Sequence, residues 1–170
     1  MKLLILNGNS CSGKSTIVKY IMKQKENLFH LSYDSLKWSF ANYKSEKHYK
    51  DVQQIKLAVA SSVFKLKYDV VSDGGLYKAS REELINLALL ARYQIVEINL
   101  EASPEVLADR FNERVSRALA TPERRISNLS FERFQELSNI FESEKNSQAI
   151  TFRTDMQDPE DIADKILKLF

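Results

Sequence analysis

The sequence predicts a single α/β domain in which a five-stranded parallel sheet lies between helices on both faces. Three observations predict this three-layer α/β/α arrangement. Strand-like apolar runs alternate with amphipathic helical segments over all 170 residues, which is typical of parallel sheets. The first run, residues 3–6, is continuously apolar, as expected of a strand buried on both faces. A short glycine-containing turn joins this run directly to a helix.

The remaining elements follow in a regular order. Helix 1 is predicted after the turn, where Ile17, Val18 and Ile21 recur at helical spacing. Four more short runs predict the other strands, at residues 28–33, 68–72, 94–100 and 149–152. Helices are predicted over residues 49–66, 80–92, 103–116 and 130–145, with a closing helix from residue 158. No repeat, low-complexity tract or linker interrupts this order, so we expect one domain spanning residues 1–170.

Particular residues support several of these helices. The helix over residues 49–66 is predicted from an apolar stripe formed by Val52, Ile55, Val59, Val63 and Leu66. Ser80 and Glu83 match a capping box at the start of the next helix. Ser103 followed by Pro104 predicts a helix start with a serine cap and proline at the first position.

The composition is that of an ordinary globular protein, with 44% hydrophobic and 28% charged residues. The net charge of +2 comes from nearly matched acids and bases, so overall charge does not indicate nucleic-acid binding. Cys11 is the single cysteine, which excludes an internal disulfide and a cysteine zinc cluster. No run approaches the roughly 18 apolar residues of a membrane span, and the N-terminal run is too short for a signal peptide. We expect a cytoplasmic protein.

Residues 8–15 (GNSCSGKS), called the glycine loop below, fit the pattern G-x-x-x-x-G-K-[ST] at every fixed position. In such a loop, successive backbone N–H groups point into one concavity, and the following helix adds its positive dipole end. Lys14 would reach the outer phosphates of a nucleoside triphosphate, and the Ser15 hydroxyl would bind Mg²⁺. A plain glycine turn would not require lysine and serine at these places. The predicted nucleotide-binding residues are Gly8, Asn9, Ser10, Cys11, Ser12, Gly13, Lys14, Ser15 and Thr16, with Cys11 as a small filler.

Two aspartates directly follow predicted strands, at the sheet edge where parallel sheets bind ligands. Asp34 follows the second strand and Asp73 the third. Asp34 could take a proton from a substrate hydroxyl as a general base, or it could cap a helix. Asp73 could hold Mg²⁺ through a water or contact an acceptor, or it could be a turn residue before Gly74 and Gly75.

An arginine-rich stretch without lysine extends from residue 110 to residue 133. Guanidinium groups suit a transferring phosphoryl group, and a mobile segment that carries them could close over a nucleotide. Alternatively, these arginines form a solvated face paired with Glu113, Glu123 and Glu132. We expect a lid over approximately residues 114–129, with Arg114 and Arg117 as candidate catalytic residues. The arginines are Arg110, Arg114, Arg117, Arg124, Arg125 and Arg133.

These motifs together resemble the small P-loop kinases of the nucleoside monophosphate kinase type over nearly the whole chain. The segments that follow the order of that group are ILNGNSCSGKSTIV, YDSL, VVSDGGL, the arginine stretch and ITFRTDMQDPEDIADKIL. ILNGNSCSGKS with YDSL is similar to chloramphenicol phosphotransferase, and YDSLK with VSDGGL resembles polynucleotide 5′-kinases. The resemblance implies the P-loop NTPase fold and an ATP- and Mg²⁺-dependent phosphotransferase. It also implies Asp34 as the base, Asp73 in the acceptor pocket, and Arg114 or Arg117 as the lid arginine.

Two departures from these relatives concern the acceptor. Lys37 stands where polynucleotide kinases have an arginine, so it is a candidate substrate-binding residue with a different donor geometry. Gly74 and Gly75 stand where the antibiotic kinases have a second acid.

Three functions remain open at this point. The first is a kinase acting on the hydroxyl of a small molecule, with a pocket lined by Trp38, Phe40, Tyr43, His48 and Tyr49. The second is a nucleic-acid end kinase, for which the sequence offers one basic strip, Lys37, Lys44, Lys47, Lys50 and Lys56. The third is a nucleotide-dependent regulator without acceptor chemistry; no guanine-specific Asn/Thr-Lys-x-Asp motif favours a GTPase. We expect a small-molecule acceptor rather than nucleic acid, and no membrane association.

Overall fold

The computed structural model describes residues 1–74, 77–120 and 129–170. Its five strands form one parallel sheet in the order β2-β3-β1-β4-β5. The strands are β1 (Lys2–Gly8), β2 (Leu28–Ser32), β3 (Asp69–Asp73), β4 (Gln94–Glu101) and β5 (Ile150–Arg153). The helices are α1 (Lys14–Gln24), α2 (Tyr33–Lys37), α3 (Ser45–Lys65), α4 (Lys78–Leu90), α5 (Pro104–Ala120), α6 (Phe131–Glu144) and α7 (Pro159–Leu169). The predicted fold class is confirmed.

The sheet separates two hydrophobic cores. Leu4 and Leu6 pack with residues of α1 and α7, whereas Leu3 and Ile5 pack with residues of α3 and α4. Because successive side chains of a strand point to opposite faces, this alternation confirms that β1 is buried on both sides. A third cluster joins α5 to α6. Since all strands are parallel, their carboxyl ends meet at one edge, which carries the glycine loop and both aspartates.

The apolar stripe predicted for α3 is wrong in part. Ile55 is 41% exposed and Leu66 is 68% exposed. The buried face instead includes Val52, Lys56 and Ala60, which are spaced four residues apart and therefore share one side of the helix. Apolar type alone selected the wrong positions, because the true stripe includes a charged residue.

Helix starts were predicted with mixed success. The Ser103 cap is confirmed, since α5 begins at Pro104 and the Ser103 hydroxyl accepts a hydrogen bond from the Val106 N–H at 3.4 Å. The capping box at Ser80 is wrong, because α4 begins two residues earlier and its cap position is Tyr77. Ser80 lies in the first turn, where its hydroxyl contacts another side chain, described below.

The short helix α2 resolves the alternative role of Asp34. Ser32 occupies the cap position of α2, and its hydroxyl accepts the Ser35 N–H at 3.4 Å. Asp34 lies within the first turn, so it is not the capping residue.

The lid predicted over residues 114–129 is described only in its first part. Residues 114–120 continue α5, which extends four residues beyond its predicted end. Arg124 and Arg125 lie outside the described residues. Within the described ranges, none of the helices combines the length and apolar character that crossing a bilayer requires.

Candidate active site

The glycine loop connects β1 to α1 with a backbone that its two fixed glycines permit. Gly13 has φ of 90° at the cap position of α1, a conformation that residues with a Cβ rarely adopt. Gly8 lies against its neighbours, because a Cβ there would be 2.5 Å from the Leu100 carbonyl oxygen and from the Ser12 hydroxyl. The pattern seen in the sequence is therefore imposed by backbone geometry and close packing.

The start of α1 presents unpaired backbone donors. The N–H groups of Gly13, Lys14 and Ser15 have no acceptor among the described residues, whereas the N–H groups of Thr16 and Ile17 donate to the Gly13 carbonyl. Three adjacent donors at a helix N-terminus, together with the helix dipole, form an anion site. The loop residues thus fit the phosphates of a nucleotide.

Lys14 is held inside the same loop. Its Nζ donates to the carbonyl oxygens of Gly8 and Asn9, both at 2.7 Å. Burial lowers the pKa of Lys14, although the nearby negative charges of Asp73 and Asp34 oppose this effect. The ammonium group therefore lies within electrostatic range of both predicted acids.

Asp73 is a buried carboxylate at the end of β3. Its Oδ1 lies 3.0 Å from Nε2 of His30, and its side chain is 8% exposed. Burial alone would raise the pKa of Asp73, but the His30 hydrogen bond and the charges of Lys14 and Lys56 outweigh it and lower that pKa. The structure thus favours an ionised carboxylate that faces the loop.

His30 was not among the candidate site residues that the sequence indicated. The available signal was its isolation as a polar residue within the apolar β2 run, Leu28–Leu31.

Asp34 is the accessible acid of the site. Its side chain is 59% exposed, and its Oδ1 lies 2.6 Å from Nζ of Lys37. The Lys37 side chain is only 14% exposed, and its ammonium group also lies 4.9 Å from the centre of the Trp38 ring. Lys37 therefore contacts the predicted base directly and does not extend into solvent.

The two candidate lid arginines differ in their surroundings. Burial is the main cause of the lowered pKa of Lys14, and the positive charge of Arg114 adds to it, which places Arg114 near the loop. The Arg114 side chain has no acceptor among the described residues. Arg117 is 73% exposed and lies 3.7 Å from Glu113 on the same helix. Of the two, Arg114 is the one whose charge acts on Lys14.

Arg110 has a structural role that the sequence did not indicate. Its guanidinium donates to the Thr154 carbonyl at 2.8 Å and to the Thr154 hydroxyl at 3.0 Å. It also reaches the Cys11 carbonyl at 3.4 Å. Arg110 thereby connects α5 to the end of β5 and to the glycine loop. The signal was its position one turn before Arg114, on the same face of α5.

Most of the predicted aromatic pocket residues meet beside Asp34. The hydroxyl oxygens of Tyr33 and Tyr43 form a hydrogen bond at 2.8 Å. The centres of the Tyr33 and Tyr49 rings lie 5.6 Å apart. Tyr49 also contacts the Tyr77 ring at 5.1 Å, and its hydroxyl lies 3.3 Å from that of Ser80. Phe40 and Tyr43 both contact the ring of His48. Tyr33 and Tyr77 were not predicted, and the Trp38 ring contacts the ammonium group of Lys37.

Ser15 and Asp73 are the predicted magnesium ligands. Among the described residues, no group of three or more His, Cys, Asp and Glu side chains could hold a metal ion. Mg²⁺, however, is commonly held by one or two protein oxygens together with phosphates and waters. A hydroxyl and an ionised carboxylate fit this requirement, so these two residues remain the predicted ligands.

A family model described as an AAA domain matches residues 3–142 of the chain. The protein belongs to this AAA domain family. Its fold is also that of solved kinases. A candidate kinase from Chloroflexus aurantiacus is 16% identical with a TM-score of 0.74, and the match covers 99% of this chain and 98% of that one. A search of curated proteins finds no match.

Two further structures show the same fold in other settings. A gluconokinase from Sinorhizobium meliloti 1021 is 18% identical with a TM-score of 0.66, covering 98% of this chain and 90% of that one. A chain in the Pnkp1/Rnl/Hen1 RNA repair complex is 19% identical with a TM-score of 0.69, covering 85% of this AAA domain protein and 45% of that chain. These likenesses confirm the P-loop kinase fold expected from the motifs.

Proposed function

We propose that this protein is a cytoplasmic, ATP-dependent kinase that transfers the γ-phosphoryl group to a hydroxyl of a small-molecule acceptor. One observation carries the proposal. At the carboxyl edge of the sheet, the Lys14 ammonium donates to the Gly8 and Asn9 carbonyl oxygens at 2.7 Å, and Asp73 and Asp34 stand at the ends of the two strands on one side of β1. An anion site, a cation and a reachable acid in one crevice are the parts that phosphoryl transfer requires.

The donor side would bind the nucleotide through backbone and charge. The free N–H groups of Gly13, Lys14 and Ser15 would surround the phosphates, and the Lys14 ammonium would move from the Gly8 and Asn9 carbonyls to the outer phosphates. Ser15 and Asp73 would hold Mg²⁺, which neutralises phosphate charge when bound. Arg114 would donate to the γ-phosphoryl oxygens as their charge develops.

The acceptor side would supply the base. Asp34 would accept the proton of the acceptor hydroxyl, whose oxygen forms a bond to the γ-phosphorus while the bond to the bridging oxygen of ADP breaks. Lys37, whose Nζ lies 2.6 Å from Oδ1 of Asp34, would hold this carboxylate in place until the acceptor arrives. The rings of Tyr33, Tyr43 and Tyr49 would contact the body of the acceptor.

The kinase proposal has support from the shared fold with gluconokinase, whose name denotes a kinase of a hydroxyl-bearing acid. A nucleic-acid end kinase is the second candidate, because Pnkp1 in an RNA repair complex has the same fold. The basic strip that it would need is smaller than expected, since Lys56 is buried and Lys37 pairs with Asp34. Lys44, Lys47 and Lys50 are the strip residues that remain exposed.

The test is transfer from γ-labelled ATP to a panel of acceptors, comparing wild type with Asp34→Asn. The panel contains D-gluconate, chloramphenicol, a nucleoside and a 5′-hydroxyl oligonucleotide. We expect Asp34→Asn to lower transfer to a small molecule by about 10²–10⁴-fold while MgATP affinity stays nearly unchanged. Asp51→Asn, an exposed acid on α3, is the matched control and should retain full activity.

The other functions give different results in the same assay. Labelling of the oligonucleotide alone, with steep salt dependence, would favour the end kinase. Slow hydrolysis with no labelled acceptor would favour a nucleotide-dependent regulator. Full activity of Asp34→Asn would refute the assignment of the base.

A further inference from the structure

Lys56 is a buried cation that the catalytic scheme does not use. It is 5% exposed, and its Nζ donates to the carbonyl oxygens of Gly74 at 2.9 Å and Asp73 at 3.3 Å. No carboxylate lies within ion-pair distance of it among the described residues. Burial lowers the pKa of Lys56 to about 8, and Asp73 and Asp34 oppose that shift.

An apolar residue would be the expected occupant of this position. Lys56 lies between Val52 and Ala60 on the face of α3 that packs onto the sheet, and both neighbours are fully buried. Burying an ammonium group without a carboxylate is unfavourable. The two carbonyl oxygens that it binds belong to consecutive residues at the end of β3, so the hydrogen bonds fix the path of the chain there.

The turn after β3, whose carbonyl oxygens bind Lys56, also contacts α2. Gly74 has φ of 72°, and a Cβ at this residue would lie 2.8 Å from Cβ of Tyr33. The turn after β3 therefore packs directly against the first residue of α2, which precedes the predicted base Asp34. β2 and β3 also pair at this end, where Ser32 is in register with Asp73.

We propose that Lys56 is a positioning residue that fixes the separation of Asp34 and Asp73. The Lys56 ammonium holds the turn at Asp73 and Gly74, and the turn holds Tyr33 and so the start of α2. Both acids then face Lys14 from neighbouring strand ends. The catalytic consequence rests on the proposed kinase function, whereas the structural coupling does not.

Amide hydrogen exchange measured by NMR tests the coupling without any acceptor. Lys56→Met removes the donors and keeps the apolar length, Lys56→Gln keeps an amide donor, and Lys65→Met is the matched control on the exposed end of α3. In Lys56→Met we expect exchange about tenfold faster at Ser32 and Asp73, the effect of losing about one hydrogen bond. Exchange at Leu4 and Ile98, in the central strands, should stay within about twofold of wild type.

Recovery of slow exchange in Lys56→Gln would support the hydrogen-bonding role. The proposal is overturned if all four amides change equally in Lys56→Met, which indicates general destabilisation. It is also overturned if Ser32 and Asp73 keep wild-type exchange, or if Lys65→Met gives the same pattern.

The catalytic part has its own measurement. With whichever of D-gluconate, chloramphenicol or 5′-hydroxyl oligonucleotide is phosphorylated, Lys56→Met should lower kcat by about tenfold or more and leave the KM for MgATP unchanged. An unchanged kcat, with local exchange nevertheless altered, would overturn the catalytic consequence. If no acceptor is phosphorylated by wild type, the proposed function fails, while the exchange experiment still decides the coupling.

Discussion

The proposed donor half consists of the glycine loop and the start of α1, and the proposed acceptor half of the ends of β2 and β3 with α2, α3 and α4. The two halves differ in how their polar groups are paired. At the start of α1, three adjacent backbone N–H groups, those of Gly13, Lys14 and Ser15, have no acceptor among the described residues. On the acceptor side the two acids already have partners: Asp34 pairs with Lys37, and Asp73 with His30. The donor half thus presents unpaired N–H groups, whereas the acids of the acceptor half are paired with neighbouring side chains.

This difference explains why the structure indicates the ligand of the donor half more directly than that of the acceptor half. Adjacent unpaired N–H groups at the start of a helix favour an anionic ligand. Side chains that already pair with one another do not indicate the chemistry of an outside ligand. An acceptor must either separate one of these pairs or bind beside it. The pair that separates determines which polar groups become available to the acceptor.

Apart from the effect of Asp34→Asn, the largest expected effect comes from the donor half. Lys14→Met should lower transfer from ATP by about 10²–10³-fold, since it removes one charged donor to the developing phosphate charge. The measurement is the initial rate of γ-phosphoryl transfer at saturating MgATP. Lys19→Met, an exposed lysine of the same helix, is the control and should be unaffected. Equal rates in Lys14→Met and wild type would show that the donor half is not the phosphate site.

The position and backbone of the glycine loop were predicted nearly completely from the sequence. Its geometry depends on a contiguous segment in which Gly8 and Gly13 permit the backbone path and Lys14 follows at once. The alternation of strands and helices was sufficient for the parallel sheet, and element ends were mostly correct to within a few residues. Local sequence was enough wherever the structure is determined by local backbone conformation.

The acceptor half was predicted only in part, because it is assembled from β2, β3, α2, α3 and α4. Asp34 and Asp73 could be placed from their positions after strands. His30 and Lys56, which both contact Asp73, come from other elements of the chain, and no local pattern links them to it. Lys56 stood in the helical stripe of Val52 and Ala60, but its charge led to its assignment to a solvated strip.

A smaller effect separates the two lid arginines. Arg114→Met should lower kcat by about tenfold to a hundredfold, because a charge near Lys14 that has no acceptor among the described residues is lost. Arg117→Met, on the exposed side of α5 beside Glu113, should change kcat by less than about twofold. The comparison of kcat for the two variants is the measurement. The opposite ranking would show that α5 rotates or moves when the nucleotide binds.

The smallest expected effect is a dependence of stability on pH. It concerns Asp155, near the start of α5. The side chain of Asp155 is 8% exposed and accepts hydrogen bonds from Arg153 at 2.6 and 3.0 Å and from the Ser103 N–H at 2.8 Å. The Arg153 contacts, followed by that from Ser103, hold the pKa of Asp155 below its ordinary value of 3.8. These contacts tie the end of β5 to the start of α5, the helix that carries Arg114.

In the unfolded chain, Asp155 regains its ordinary pKa and binds a proton more readily than in the native protein. Its contribution to stability is therefore complete above that value and is lost as the pH falls through the lower native pKa. We expect the melting temperature of Asp155→Asn to fall less steeply than that of wild type between about pH 5 and about pH 3. Asp109→Asn, an exposed acid of α5, should keep the wild-type slope. Equal slopes for wild type and Asp155→Asn would mean that the position of α5 does not depend on this carboxylate.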